Sequence, residues 1–241
     1  MKYKFQTTDK YSNDHAVIFD FDCTLTCVHA WYLFNYFAMV KNSKNINQAK
    51  ILDEKTFIEK LSLQQVINNL EPTESYASRI IFGNKKRIKM LADMFKSIKQ
   101  YKYSIMIASR NNLKLIVYLL KQAGLFDYFD IIKGSDMVYT NGRYLQTLLS
   151  PTNNVSSYKA TKDDFIYRLT QNGFDKIIYL DDDPEEFFTL TKSVQCTVTD
   201  VYNIKVYECP YRGKNLIFIH LENEGPGIDS IIKTILVKAL S

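Results

Sequence analysis

The sequence predicts an α/β protein: a doubly wound, mostly parallel sheet with a helical unit inserted near its start. Three observations carry this. First, three short apolar runs each end abruptly in polar chemistry, residues 17–19 at Asp20, 104–108 at Ser109 and 177–180 at Asp181. Runs of this length, rich in Val, Ile and aromatic residues, read as buried strands. Second, stretches of helical period separate them. Third, about eighty residues lie between the first two strands, far beyond an ordinary connection, so an extra unit sits there.

Taken in order, strands are expected near 17–20, 104–108, 130–133, 177–180, 194–197 and 216–221. Residues 84–100 form an amphipathic helix with Ile88, Leu91, Phe95 and Ile98 on one face, leading into the second strand. The inserted unit then spans 27–83, leaving 1–26 and 84–241 as the core. Helical pattern recurs in it at 31–40, 54–69 and 76–81, and Trp31, Tyr32, Phe34, Tyr36 and Phe37 supply its apolar centre. A helix over 113–123 stops at Gly124. Asn141-Gly142 marks a hairpin turn between 137–139 and 143–145. Thr161 caps a helix with Asp163 and Asp164 in its first turn, and 228–239 forms a closing helix.

Composition narrows the classes. At 241 residues and 46% hydrophobic the chain can bury a substantial core. No apolar run is long enough to span a membrane, and residues 1–14 are too polar for a signal peptide. The formal charge of +5 suits anionic ligands. No basic run with interleaved aromatics points to nucleic acid. The expectation is a cytoplasmic protein with no membrane or nucleic-acid partner, its four cysteines reduced. Cys23 and Cys27 lie four apart, but Cys196 and Cys209 do not complete a zinc pattern. His29 follows the first motif as a loop histidine that can face the cleft.

The strand ends hold the candidate chemistry. Asp20 and Asp22 are two apart at the end of the first strand and can converge on one small volume. Two such carboxylates repel unless a cation or shared proton intervenes, and Mg²⁺ suits oxygen ligands of this kind. Ser109, directly before a helix, offers a hydroxyl and neighbouring N–H groups to an anion, or serves as a cap. Asp181, Asp182 and Asp183 stack three carboxylates at another strand end, a cost that a cation or a lysine relieves. Lys159 and Lys162 lie shortly before that strand.

In this order the four pieces resemble the motifs of the haloacid dehalogenase superfamily: a DxDxT strand end, a Ser or Thr, a Lys and an acidic pair. The resemblance runs from about residue 17 to 187. It implies a Rossmann-like core with a helical cap and Mg²⁺-dependent phosphatase chemistry through an aspartyl-phosphate. It implies Asp20 as nucleophile and Asp22 as general acid and base. Thr24 would hydrogen-bond within the loop, hold it in shape and belong to the phosphate-binding set. Ser109 and the Arg110 N–H would meet phosphate oxygens, together with the motif lysine, for which Lys162 is favoured over Lys159. Asp20, the backbone carbonyl of Asp22, and Asp182 rather than Asp181 would hold Mg²⁺. Cys23 stands where the family often has Gly. The implied substrate is a small phosphorylated molecule. The alternatives are a phosphoprotein phosphatase and a non-catalytic binding protein that reuses the fold.

Overall fold

In the computed structural model, residues 14–30, 81–135, 137–140, 142–146, 162–221, 228 and 230–240 are described. Their strands are β1 (His15–Phe19), β2 (Ser104–Ala108), β3 (Ile131–Lys133), β4 (Met137–Thr140), β5 (Arg143–Gln146), β6 (Lys176–Asp181), β7 (Thr197–Val201), β8 (Ile204–Tyr211) and β9 (Lys214–His220). The helices are α1 (Lys85–Gln100), α2 (Leu113–Gln122), α3 (Lys162–Gln171), α4 (Glu185–Thr191) and α5 (Ser230–Leu240). All the strands join one sheet in the order β5-β4-β3-β2-β1-β6-β9-β8-β7. The five from β3 to β9 in that order are mutually parallel, and antiparallel hairpins extend both edges.

Strand alternation divides the core into two layers. Val17, Phe19, Ile105, Ile107, Ile178 and Leu180 face one apolar cluster, which also takes Leu91 and Phe95 of α1, Leu119 and Leu120 of α2 and Leu236 of α5. Ala16, Ile18, Met106, Ala108, Ile177 and Tyr179 face the other, closed by Phe165 and Leu169 of α3 and Phe187 of α4. A sheet with helices on both faces must read as continuous apolar runs, as β1, β2 and β6 do. The sheet is therefore doubly wound. α1 starts at Asn84, whose side chain accepts from the Arg87 N–H at 2.9 Å, and α2 at Asn112, which accepts from the N–H groups of Lys114 and Leu115.

Three sequence expectations are corrected at the β9 edge. The strand expected at 194–197 begins where it was expected to end, at Thr197. β8 was not anticipated. Its alternation of buried and exposed positions slips at Tyr207-Glu208, between the buried Val206 and Cys209, and its flanking turns are Tyr202-Asn203 and Arg212-Gly213. All four of those turn residues have positive φ, the two-residue hairpin geometry, without the Asn-Gly signature that marks it in a sequence. Third, the four cysteines are not all reduced: Cys196 and Cys209 form a disulfide. The β7–β8 register places them opposite one another, one step beyond Thr197 and Glu208, with Cα atoms 4.4 Å apart. Of the inserted unit, residues 31–80 lie outside the described residues, with the aromatics from Trp31 to Phe37.

One glycine brings the sheet close to a helix. A Cβ on Gly134, after β3, would lie 2.6 Å from the backbone nitrogen of Leu113 at the start of α2. The Ser135 N–H donates to the Asn111 carbonyl at 2.8 Å across the same contact. Gly134→Ala is expected to destabilise by about 1–3 kcal/mol, because backbone must move. Thermal unfolding checks this; an unchanged midpoint would mean that the contact yields easily.

Candidate active site

The parallel ladders continue past the strand ends and fix where the polar groups emerge. The Asp20 N–H donates to the Leu180 carbonyl at 2.8 Å, setting Asp20 beside the end of β6. The Ser109 N–H donates to the Lys133 carbonyl at 3.0 Å, and the Leu221 N–H to the Asp181 carbonyl at 2.9 Å. Asp20, Ser109 and Asp181 thus stand at the carboxyl ends of the adjacent strands β1, β2 and β6, where open parallel sheets bind ligands.

Lys162, the first residue of α3, points its ammonium between two of them. Nζ lies 2.9 Å from Asp20 Oδ1 and 2.8 Å from Asp181 Oδ2, and all three side chains are buried. Lys159 lies outside the described residues. Burial works against the charge on Lys162, but Asp20 and Asp181 outweigh it and hold its pKa above the ordinary lysine value. Asp181 is pushed well above the usual carboxylate range, first by burial and then by the charge on Asp20, against the pull of Lys162 and the Asp183 N–H. Asp182 is raised by the same two causes in the same order. Tyr179, two residues before Asp181 and so on the same face of β6, donates its hydroxyl to Asp181 Oδ2.

Carboxylate oxygens of Asp20, Asp181 and Asp182 lie within 4.8 Å of one another. With all three ionised, these carboxylates would outnumber the one ammonium and place two negative charges in excess in a buried volume. A divalent cation matches that excess, and an all-oxygen donor set suits a hard ion. The residues present can therefore hold a metal ion, with both Asp181 and Asp182 in the cluster. The side chain of Asp22 stands apart from it. Its carboxylate accepts from Asn111 Nδ2 at 3.1 and 3.3 Å and from the Ala30 N–H at 2.8 Å.

The loop from Phe21 to Leu25 is held by residues that the sequence reading did not assign to it. Thr26, rather than Thr24, makes the loop hydrogen bonds. Its Oγ1 accepts from the Cys23 N–H at 3.2 Å and donates towards the carbonyls of Phe21 and Val28, at 3.0 and 2.6 Å. Thr24 Oγ1 is buried with no hydrogen-bond partner among the described residues. Arg87 of α1 lays its guanidinium on four carbonyls, those of Leu25 (2.7 Å), Phe82 (3.0 Å), Ile228 (3.2 Å) and Thr24 (3.3 Å). A planar group with five donors can do this; an ammonium cannot. Cys23 takes φ 55° and ψ 0°, the left-handed region where glycine is at ease and other residues lose about 1–2 kcal/mol.

Ser109 Oγ accepts from the Asn111 N–H at 3.1 Å. Asn111 is thus tied to Ser109 on one side and Asp22 on the other while buried itself. The signal was its place directly before a capping asparagine, where a second cap is redundant. The Arg110 side chain turns outward to Asp183 at 3.7 Å, an exposed pair worth under about 1 kcal/mol.

No protein-family model and no curated protein matches this chain. Solved structures similar to it include a haloacid dehalogenase-like hydrolase from Streptococcus pneumoniae, at 14% identity and TM-score 0.38 over 73% of this chain and 80% of that one. Another is a superfamily hydrolase from Ehrlichia chaffeensis, at 14% identity and TM-score 0.36 over 74% and 83%. That likeness is faint. The chain resembles the haloacid dehalogenase superfamily in the order of its motifs and in its doubly wound α/β core.

Proposed function

We propose that this chain is a Mg²⁺-dependent phosphohydrolase acting on a phosphate monoester of a small molecule through a phosphorylated Asp20. The observation that carries the reading is the buried Asp20–Lys162–Asp181 network at the carboxyl edge of adjacent central strands. A structural role alone gives no reason to bury so much charge.

In this reading one oxygen of Asp20 attacks phosphorus. Asp22, oriented by Asn111 and the Ala30 N–H, gives a proton to the leaving oxygen and later takes one from the water that hydrolyses the acyl phosphate. Lys162 holds Asp20 in position and offsets the repulsion between carboxylate and phosphate. The Ser109 hydroxyl, the Arg110 N–H and the Thr24 hydroxyl receive phosphate oxygens. Mg²⁺, held by Asp20, Asp182 and the Asp22 carbonyl, supplies further charge neutralisation when bound. Cytoplasmic location remains part of the reading, although Cys196–Cys209 removes half of the thiol argument for it. Substrate choice is assigned to the cap, residues 27–83.

The test is phosphate release with Mg²⁺ from a panel of phosphorylated metabolites, phosphopeptides and a generic aryl phosphate. Turnover of the small molecules is expected; turnover of phosphopeptides alone would shift the substrate class to proteins.

Two further outcomes follow. Asn111→Ala is expected to lower kcat about tenfold or more by freeing Asp22, with a smaller change in KM. A change confined to KM would remove Asn111 from proton transfer. Second, Asp181 and Asp182 have folded pKa values above their unfolded ones. The folded state therefore binds more protons than the unfolded chain. The stability that these groups contribute is present below about pH 4 and lost as pH rises through the folded values. Without metal the thermal midpoint is expected to fall as pH rises above about 4. Mg²⁺ at a hundred times its Kd should restore about 2.7 kcal/mol at pH 7 and less in acid. A midpoint at pH 7 that ignores Mg²⁺ and EDTA would count against the carboxylate site.

A further inference from the structure

We infer that the loop after β1 carries a second metal site, sharing Asp182 with the carboxylate cluster but adding a thiol and an imidazole, formed by Cys23, His29 and Asp182 and suited to a borderline divalent ion of the Zn²⁺ class. Cys23 Sγ, a ring nitrogen of His29 and a carboxylate oxygen of Asp182 lie within 4.8 Å of one another. One sulfur, one nitrogen and one oxygen form a donor set that Mg²⁺ disfavours and Zn²⁺ or Co²⁺ accepts. Three protein ligands also leave a fourth tetrahedral position open to water.

The ligands are set in place before any ion arrives. Thr26 Oγ1 bonds to the Cys23 N–H on one side and to the Val28 carbonyl on the other, pinning the chain between Cys23 and His29. The Ala30 N–H donates to Asp22 and fixes the residue after His29. Asp182 comes from the end of β6, anchored through the neighbouring Asp181. Both loop ligands are only half-buried, so an ion can enter. Cys27, the other thiol of the loop, is not in the cluster; its Sγ lies 3.1 Å from the position a Cβ on Gly83 would take. Binding deprotonates Cys23 and releases that proton to solvent. Asp182 belongs to both clusters, so an ion here either bridges to the carboxylate site or competes for its ligand.

This inference concerns binding alone and stands or falls independently of the phosphohydrolase reading. The full chain is titrated with Co²⁺, following the thiolate-to-cobalt absorption band, and with Zn²⁺ by calorimetry. One equivalent is expected, with the band present. Cys23→Ser should remove the band and weaken Zn²⁺ binding at least about tenfold, as should His29→Gln for affinity, whereas Cys27→Ser should leave the band in place. In the wild-type chain, Zn²⁺ should slow alkylation of Cys23 by iodoacetamide, read by peptide mass spectrometry. This arm needs no variant to fold. Absence of a thiolate band, a band that survives Cys23→Ser, or Cys23 alkylation indifferent to Zn²⁺ would overturn the inference.

Discussion

Asp20→Asn is expected to abolish turnover, by about 10⁴-fold or more, while making the metal-free protein more stable. The rate loss follows because the amide is no nucleophile, and removing a covalent nucleophile forfeits the whole path that depends on it. The gain in stability follows from the electrostatics. The charge on Asp20 is a cause of the raised pKa of both Asp181 and Asp182. Removing it leaves Lys162 paired with Asp181 at 2.8 Å and relieves the repulsion. The expected gain is about 1 kcal/mol, the usual sign of a site that gives up stability for function. Thermal unfolding in EDTA and phosphate release with Mg²⁺ read the two effects separately. Loss of both activity and stability would mean that Asp20 serves the fold instead.

Lys162→Met should have the opposite effect on stability. It removes the sole ammonium bonded to Asp20 and Asp181 among the described contacts, leaving buried carboxylates without a cation. Breaking such a pair from one side costs about 3–5 kcal/mol. The penalty should be smallest in acid, where the carboxylates take up protons, and should shrink with Mg²⁺. In an Asp20→Asn background the same substitution should cost less, because one of the stranded charges is gone. A double-mutant cycle with no coupling would contradict the shared network.

Much of this arrangement was legible in the sequence because it depends on short-range patterns. Apolar runs that stop at Asp20, Ser109 and Asp181 give both the strands and the edge at which their polar ends gather. Lys162 was legible as a lysine entering a helix just before the acidic strand. What escaped depends on partners distant in the chain. Asn111 reads as one of two capping residues until the fold brings Asp22 to it. Arg87 reads as a solvated charge on α1, and only the return of Thr24, Leu25 and Ile228 to one place makes it a clasp. Thr24 and Thr26 share a loop, and which hydroxyl braces it depends on the turn at Cys23. At the far edge, Tyr202-Asn203 and Arg212-Gly213 make tight turns without the usual residues, so β8 and the pairing of Cys196 with Cys209 were not visible.

The central claim is that Asp20 carries the phosphoryl group. The most direct measurement is to mix the protein with Mg²⁺ and a rapidly cleaved aryl phosphate, quench during turnover, and reduce with borohydride. Borohydride reduces an acyl phosphate and leaves a free carboxylate untouched. The account predicts homoserine at position 20 in the peptide that contains Phe19 and Phe21, and none when substrate or Mg²⁺ is omitted. Steady phosphate release with position 20 unmodified, or with the modification on Asp22, Asp181 or Asp182 instead, would contradict it.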